Sequence, residues 1–96
     1  MQILQKRYRK DPNIVSRKIA DEVILVTIKR NVADLESIYT LNEVSTRIWE
    51  LIDGQKTLLQ IRDIIVDEFE ANPNEVESDL KQFLQKLEGI GGVQIA

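Results

Sequence analysis

The chemistry-bearing side chains of this chain are mostly carboxylates, at Asp67-Glu68 and at Glu75-x-Glu77-x-Asp79. Groups of that kind can ligate a hard cation or pass protons. Here they lie on predicted helices without the glycine turn of a calcium loop, and solvated helix faces are the plainer expectation. The chain has no Cys and no His. With them go thiolate and imidazole nucleophiles, disulfides, and the usual ligands of zinc, haem and iron–sulfur clusters. No glycine loop for cradling phosphate is present, and Gly89 to Gly92 follow a predicted helix, which is the wrong end for an anion. The chain is therefore expected to be no enzyme, with no catalytic residue, no metal and no cofactor.

At 96 residues the sequence suits one domain spanning 1–96, too small for a second core. It holds no apolar run of the roughly 20 residues that span a bilayer. The basic start MQILQKRYRK is followed by Asp11-Pro12-Asn13 instead of an apolar core, so no secretion signal is read and a cytoplasmic protein is expected. Charge is uneven: residues 1 to 31 carry eight Lys/Arg against three acids, and the remainder five against 13. A basic first third can steer an acidic partner, although scattered lysines more often only solvate a surface.

Residues 1–13 show no period and meet Pro12, which predicts an irregular arm or a loosely paired first strand. Ile14 to Ile19 alternates as a strand, and Ala20-Asp21-Glu22 is the expected turn. Val23 to Ile28 is β-branched at most positions and apolar at both parities, which predicts a central strand covered on both faces, by the N-terminal arm or by a partner. Lys29 to Glu36 reads as a polar hairpin connection, and Ser37 to Leu41 as the third strand. Asn42 is a good N-cap for a helix whose face is Val44, Ile48, Leu51 and Ile52, with Trp49 on its flank, stopped at Asp53-Gly54. Thr57 and Gln60 form a capping box for a second helix with Ile61, Ile64, Ile65 and Phe69 on its apolar face. Asn72-Pro73-Asn74-Glu75 starts a third, carrying the stripe Val76, Leu80, Phe83, Leu84 and Leu87 to about Glu88. Ile90 to Ile95 allows a turn and a short closing strand. These elements predict an α+β fold with helices packed on one face of a sheet.

Two short helices, a third and a small sheet also match the layout of a winged helix-turn-helix, so a DNA-binding regulator is one alternative. The third helix, however, sets Lys81 and Lys86 against Glu75, Glu77, Asp79 and Glu88, an acidic balance that a duplex repels. A structural or oligomerising domain using the two-sided apolar strand is another. A peptide-binding module fits better, because a strand at a sheet edge offers unpaired backbone groups and a neighbouring apolar helix offers pockets.

The run Tyr39-Thr40-Leu41-Asn42-Glu43, then Arg47-Ile48-Trp49-Glu50-Leu51-Ile52-Asp53-Gly54 and Thr57, then Phe69-x-x-x-Pro73-x-x-Val76-x-x-Asp79-Leu80-x-x-Phe83-Leu84-x-x-Leu87, resembles the PqqD-like family, the RiPP recognition elements of ribosomally made, modified peptides. The resemblance implies a winged helix-turn-helix-like fold, a three-stranded antiparallel sheet followed by a three-helix bundle. It also implies a peptide chaperone that captures the leader of a precursor peptide as an extra strand on its third strand and presents it to a modifying enzyme. In the founding pathway that enzyme is a radical S-adenosylmethionine (radical SAM) protein. Carried over by position, the backbone of Ser37, Ile38, Tyr39 and Thr40 pairs with the leader; Leu80, Phe83, Leu84 and Leu87 line its pockets; Lys81 sits on the rim. The partners expected are a precursor peptide and its maturase, with no nucleic acid and no membrane, the protein being a monomer or weak homodimer. The stretch VILVTIKRNVADLESIYTLNEV departs from the founding members' spacing and favours the broader family over the quinone pathway.

Overall fold

Strand alternation and helix caps place the elements close to where the sequence predicts them. The computed structural model describes residues 3–27 and 38–96. After a 3-10 turn at Ile3–Gln5 come strands β1 (Tyr8–Lys10), β2 (Ile14–Ile19), β3 (Glu22–Thr27) and β4 (Ile38–Leu41). Helices α1 (Glu43–Leu51), α2 (Leu58–Phe69) and α3 (Pro73–Gly89) follow, and β5 (Val93–Ile95) closes the chain. Three antiparallel strands in the order β2-β3-β4 make the principal sheet, and β1 pairs with β5 in a second, two-stranded sheet. The expected hairpin Lys29–Glu36, Ile28 and Ser37 lie outside the described residues.

The caps form for the reasons their residue types suggest. The Asn42 side chain accepts from the backbone N–H of Ser45 at 2.8 Å, and the Ser45 hydroxyl oxygen accepts from the Asn42 N–H at 2.9 Å, so two of the free donors at the start of α1 are satisfied reciprocally. Thr57 and Gln60 do the same for α2. Asn72 accepts from the N–H groups of Asn74 and Glu75, with Pro73 in the first turn of α3. Helix α2 ends with Glu70 in the left-handed region, at φ +51°. Two residues, Ala20 and Asp21, connect β2 to β3, with Ala20 at φ +56°.

The interior joins one face of the principal sheet to all three helices. Leu25 and Leu41 from the sheet, Ile48, Leu51 and Ile52 from the α1 segment, Leu58, Ile61 and Ile65 from α2, and the α3 stripe Val76, Leu80, Phe83, Leu84 and Leu87 are buried together. Arg47 donates to both carboxylate oxygens of Glu68, each at 2.8 Å, which ties α1 to α2. Arg62 reaches Glu77 at 3.1 Å and ties α2 to α3.

The N-terminal arm is more ordered than expected. Tyr8 to Lys10 pair with Val93 to Ile95, and Tyr8 is 2% exposed. The Gly54 and Leu58 amides donate to the carbonyls of Tyr8 and Lys6 at 2.7 and 3.0 Å. The arm therefore fastens the C-terminal end and the α1–α2 connection. On the outer face of β3, Ile24 and Val26 are half-buried.

Candidate functional site

Strand β4 is the element that turns this core into a site. It pairs with β3 on one side, and among the described residues no strand pairs with the other. Its side chains alternate: Leu41 is buried in the core, Thr40 is exposed on the far face, and Tyr39 is half-buried on the helix side. The Tyr39 ring stacks on Phe83 of α3, with centroids 6.1 Å apart and planes 25° from parallel. The Lys86 ammonium lies 5.9 Å from the Tyr39 ring centroid, within the range of a cation–π contact.

Between β4, α1 and α3 runs a cleft of about 190 Å³, lined by Tyr39, Asn42, Val44, Ser45, Ile48, Asp79, Gln82, Phe83 and Lys86. The strand contributes an aromatic wall, α1 an apolar and hydroxylic end, and α3 the opposite wall. Two larger hollows have a different character. One, of about 360 Å³, is bounded by Ser78, Lys81, Gln82, Gln85 and Glu88, all on α3, and is the space between side chains of one helix. The other, of about 490 Å³, lies at the β2–β3 turn among Lys18, Asp21, Glu22 and Glu43. Neither lies between β4 and α3.

Helix geometry explains which α3 residues reach the cleft. At about 100° per residue, Asp79, Gln82, Phe83 and Lys86 share an arc of roughly 100°, while Leu80, Leu84 and Leu87 fall on the adjoining arc toward the core. Leu80, Leu84 and Leu87 are each 0% exposed, and Phe83, at the boundary of the two arcs, is 5% exposed. The three leucines thus back the cleft wall from inside without lining it. Lys81 lies about 160° around the helix from Phe83, so the structure puts it off the rim expected from sequence. Its ammonium sits 3.1 Å from Glu77. Lys86 is the lysine at the cleft. Of the expected strand residues, Tyr39 lines it, Thr40 does not, Ile38 pairs through its backbone with Val26, and Ser37 lies outside the described residues. Asn42, Val44, Ser45, Ile48, Asp79, Gln82 and Lys86 were not singled out from sequence as site residues; the 79/82/83/86 spacing on α3 was the available signal.

The electrostatics of α2 and α3 bear on the DNA-binding alternative. The Lys81 ammonium, and after it the Arg62 guanidinium, hold the Glu77 carboxyl below the usual carboxylate range. Arg62 also contacts Asp63 at 3.0 Å. The cations of this pair of helices are thus engaged by carboxylates of the same pair, apart from Lys86 in the cleft. Among the described residues no cluster of carboxylates is arranged to hold a metal ion. No helix among them is long and apolar enough to cross a membrane.

No curated protein is significantly similar in sequence. The fold is similar to the structure of TbiB1 in complex with the TbiA(beta) leader peptide, with a TM-score of 0.73 and 29% identity over 90% of this chain and 94% of that one. The family described as coenzyme PQQ synthesis protein D matches residues 22–92. With most of its length inside that match and three antiparallel strands leading into three helices, the chain belongs to the PqqD family.

Proposed function

We propose that this chain is a non-catalytic peptide chaperone, a single cytoplasmic domain that binds the leader segment of a ribosomal precursor peptide by strand addition and holds it for a modifying enzyme. A radical SAM maturase is the partner class that the family resemblance suggests. The observation that carries the reading is the side of β4 that no strand among the described residues pairs with, lying along the cleft walled by Tyr39 and Phe83. An extended peptide there gains backbone hydrogen bonds from the strand and places alternate side chains in the cleft. The TbiB1 match supports it, since that protein is seen with a leader peptide. The backbone from Ser37 to Thr40 would supply the ladder, Phe83 and Tyr39 the contact surface, and Leu80, Leu84 and Leu87 its rigid backing. Holding peptide and enzyme together raises the effective concentration of one for the other without a new catalytic contact. The engaged cations of α2 and α3 weigh against a duplex-binding role.

The test is a fluorescence-anisotropy titration of labelled leader peptides, taken from short reading frames beside the gene, against the wild-type protein and Val44→Glu. Val44 is half-buried on α1 and lines the cleft, so a carboxylate there must be desolvated by any peptide that fills it. Binding by the wild type and a loss of tenfold or more in the variant, with unchanged circular dichroism, is expected. Equal binding by both proteins would remove the cleft from the account.

A further inference from the structure

The charges along the cleft carry information that its shape does not. Asp79, Phe83 and Lys86 follow one another on the same arc of α3, with Asp79 and Lys86 about 10 Å apart along the helix axis. Neither Asp79 nor Lys86 joins an ion pair among the described residues, whereas Arg47, Lys56, Arg62 and Lys81 all do. Lys86 stands at the Tyr39 end of the cleft. The helix rise carries Asp79, two turns earlier, away from Tyr39, and Val44 and Ser45 of α1 line the same cleft.

We propose that the cleft reads charge and direction, accepting an extended segment in which a basic residue stands two positions before an aromatic or large aliphatic residue and an acidic residue two positions after it. This deepens the peptide-binding reading and rests on it. The direction comes from the sheet. Its existing pairs are antiparallel, and antiparallel addition is also the slightly more stable mode. A peptide running opposite to β4 enters at the α1 end, beside Asp79, and leaves past Lys86. Side chains facing α3 recur every second residue, about 6.7 Å apart. Three such positions span about 13 Å, which the distance from Asp79 to Lys86 and the reach of a lysine stem accommodate. The first position meets a carboxylate, the second the Tyr39–Phe83 surface, and the third an ammonium.

The experiment is selection of a displayed random-peptide library against the full chain and against the charge-exchanged double variant Asp79→Lys/Lys86→Glu, both positions being exposed. Selected peptides are then synthesised with the two charges in either order. Each exposed ion pair is worth about two- to five-fold in affinity, so the favoured order should bind the wild type about tenfold more tightly than the reversed order. The double variant should prefer the reverse. Peptides that bind both proteins alike, or that show no charge order, overturn the proposal and leave the peptide-binding reading standing. Failure to enrich any peptide on the wild type overturns both.

Discussion

Replacing Tyr8 by alanine tests whether the N-terminal arm is part of the folded unit. The Tyr8 side chain is 2% exposed and belongs to the core cluster. Burying a tyrosine removes roughly 150 to 250 Å² from water, or about 4 to 6 kcal/mol at about 25 cal/mol per Å². The unfolded chain is already partly compact, which brings the figure toward the roughly 3 to 5 kcal/mol measured for aromatic truncations. A domain of this length has about 5 to 14 kcal/mol in total, so Tyr8→Ala should cost about a fifth or more of its stability and lower the melting temperature by at least about 12 °C. Tyr8→Phe separates packing from hydrogen bonding. The hydroxyl donates to Glu88 Oε2 at 3.3 Å, and Glu88 is exposed, so its loss should cost less than about 1 kcal/mol. Urea unfolding followed by Trp49 fluorescence suits the measurement, because Trp49 is the sole tryptophan and the Lys10 ammonium of β1 lies 5.2 Å from its ring. A Tyr8→Ala protein within 1 kcal/mol of the wild type would refute the docking of β1.

The other expectations concern the helix end, acid stability and the cleft. Glu70→Gly relieves a left-handed residue at the end of α2, and a gain of about 0.5 to 1 kcal/mol in thermal or urea unfolding is expected. The Asp53 carboxyl is held well below the usual carboxylate range, first by the Lys56 ammonium and then by the Lys56 and Gln55 amides. Its folded-state value being depressed, it contributes stability above the ordinary value near pH 4 that is lost as pH falls toward the folded one. Asp53→Asn should therefore flatten the fall in melting temperature measured from about pH 4 downward. Lys81→Ala should leave leader-peptide affinity unchanged in an anisotropy titration, whereas Lys86→Ala weakens it about two- to five-fold; the reverse ranking would put the groove on the other side of α3.

Local chemistry was the readable part of the sequence. Asn42, Thr57 and Asn72 cap their helices because a short side chain can reach nearby amides without help from distant residues. Ile14 to Ile19 forms the strand its alternation predicts, and every member of the α3 stripe is buried. The pairing of β1 with β5 was not readable, since three-residue strands carry little pattern and these two lie more than eighty positions apart. The division of α3 was readable in principle but needed the sheet: periodicity puts Leu84 and Lys86 on neighbouring arcs, and only the position of β4 shows which arc faces a cleft. That distinction matters for experiment, because Leu84 is 0% exposed and a charge there would unfold the protein before it touched any peptide.

The antiparallel join of β1 and β5 has a mechanical corollary. Tyr8 lies opposite Ile95, and the Ala96 amide donates to the Arg7 carbonyl at 2.9 Å, so Arg7 and Ala96 sit together at one end of that ladder. Traction applied between them loads its hydrogen bonds one after another instead of all at once. Pulled at Arg7 and Ala96, the clasp should open as a zipper does, at low force, leaving the helices and the principal sheet to bear the load afterwards.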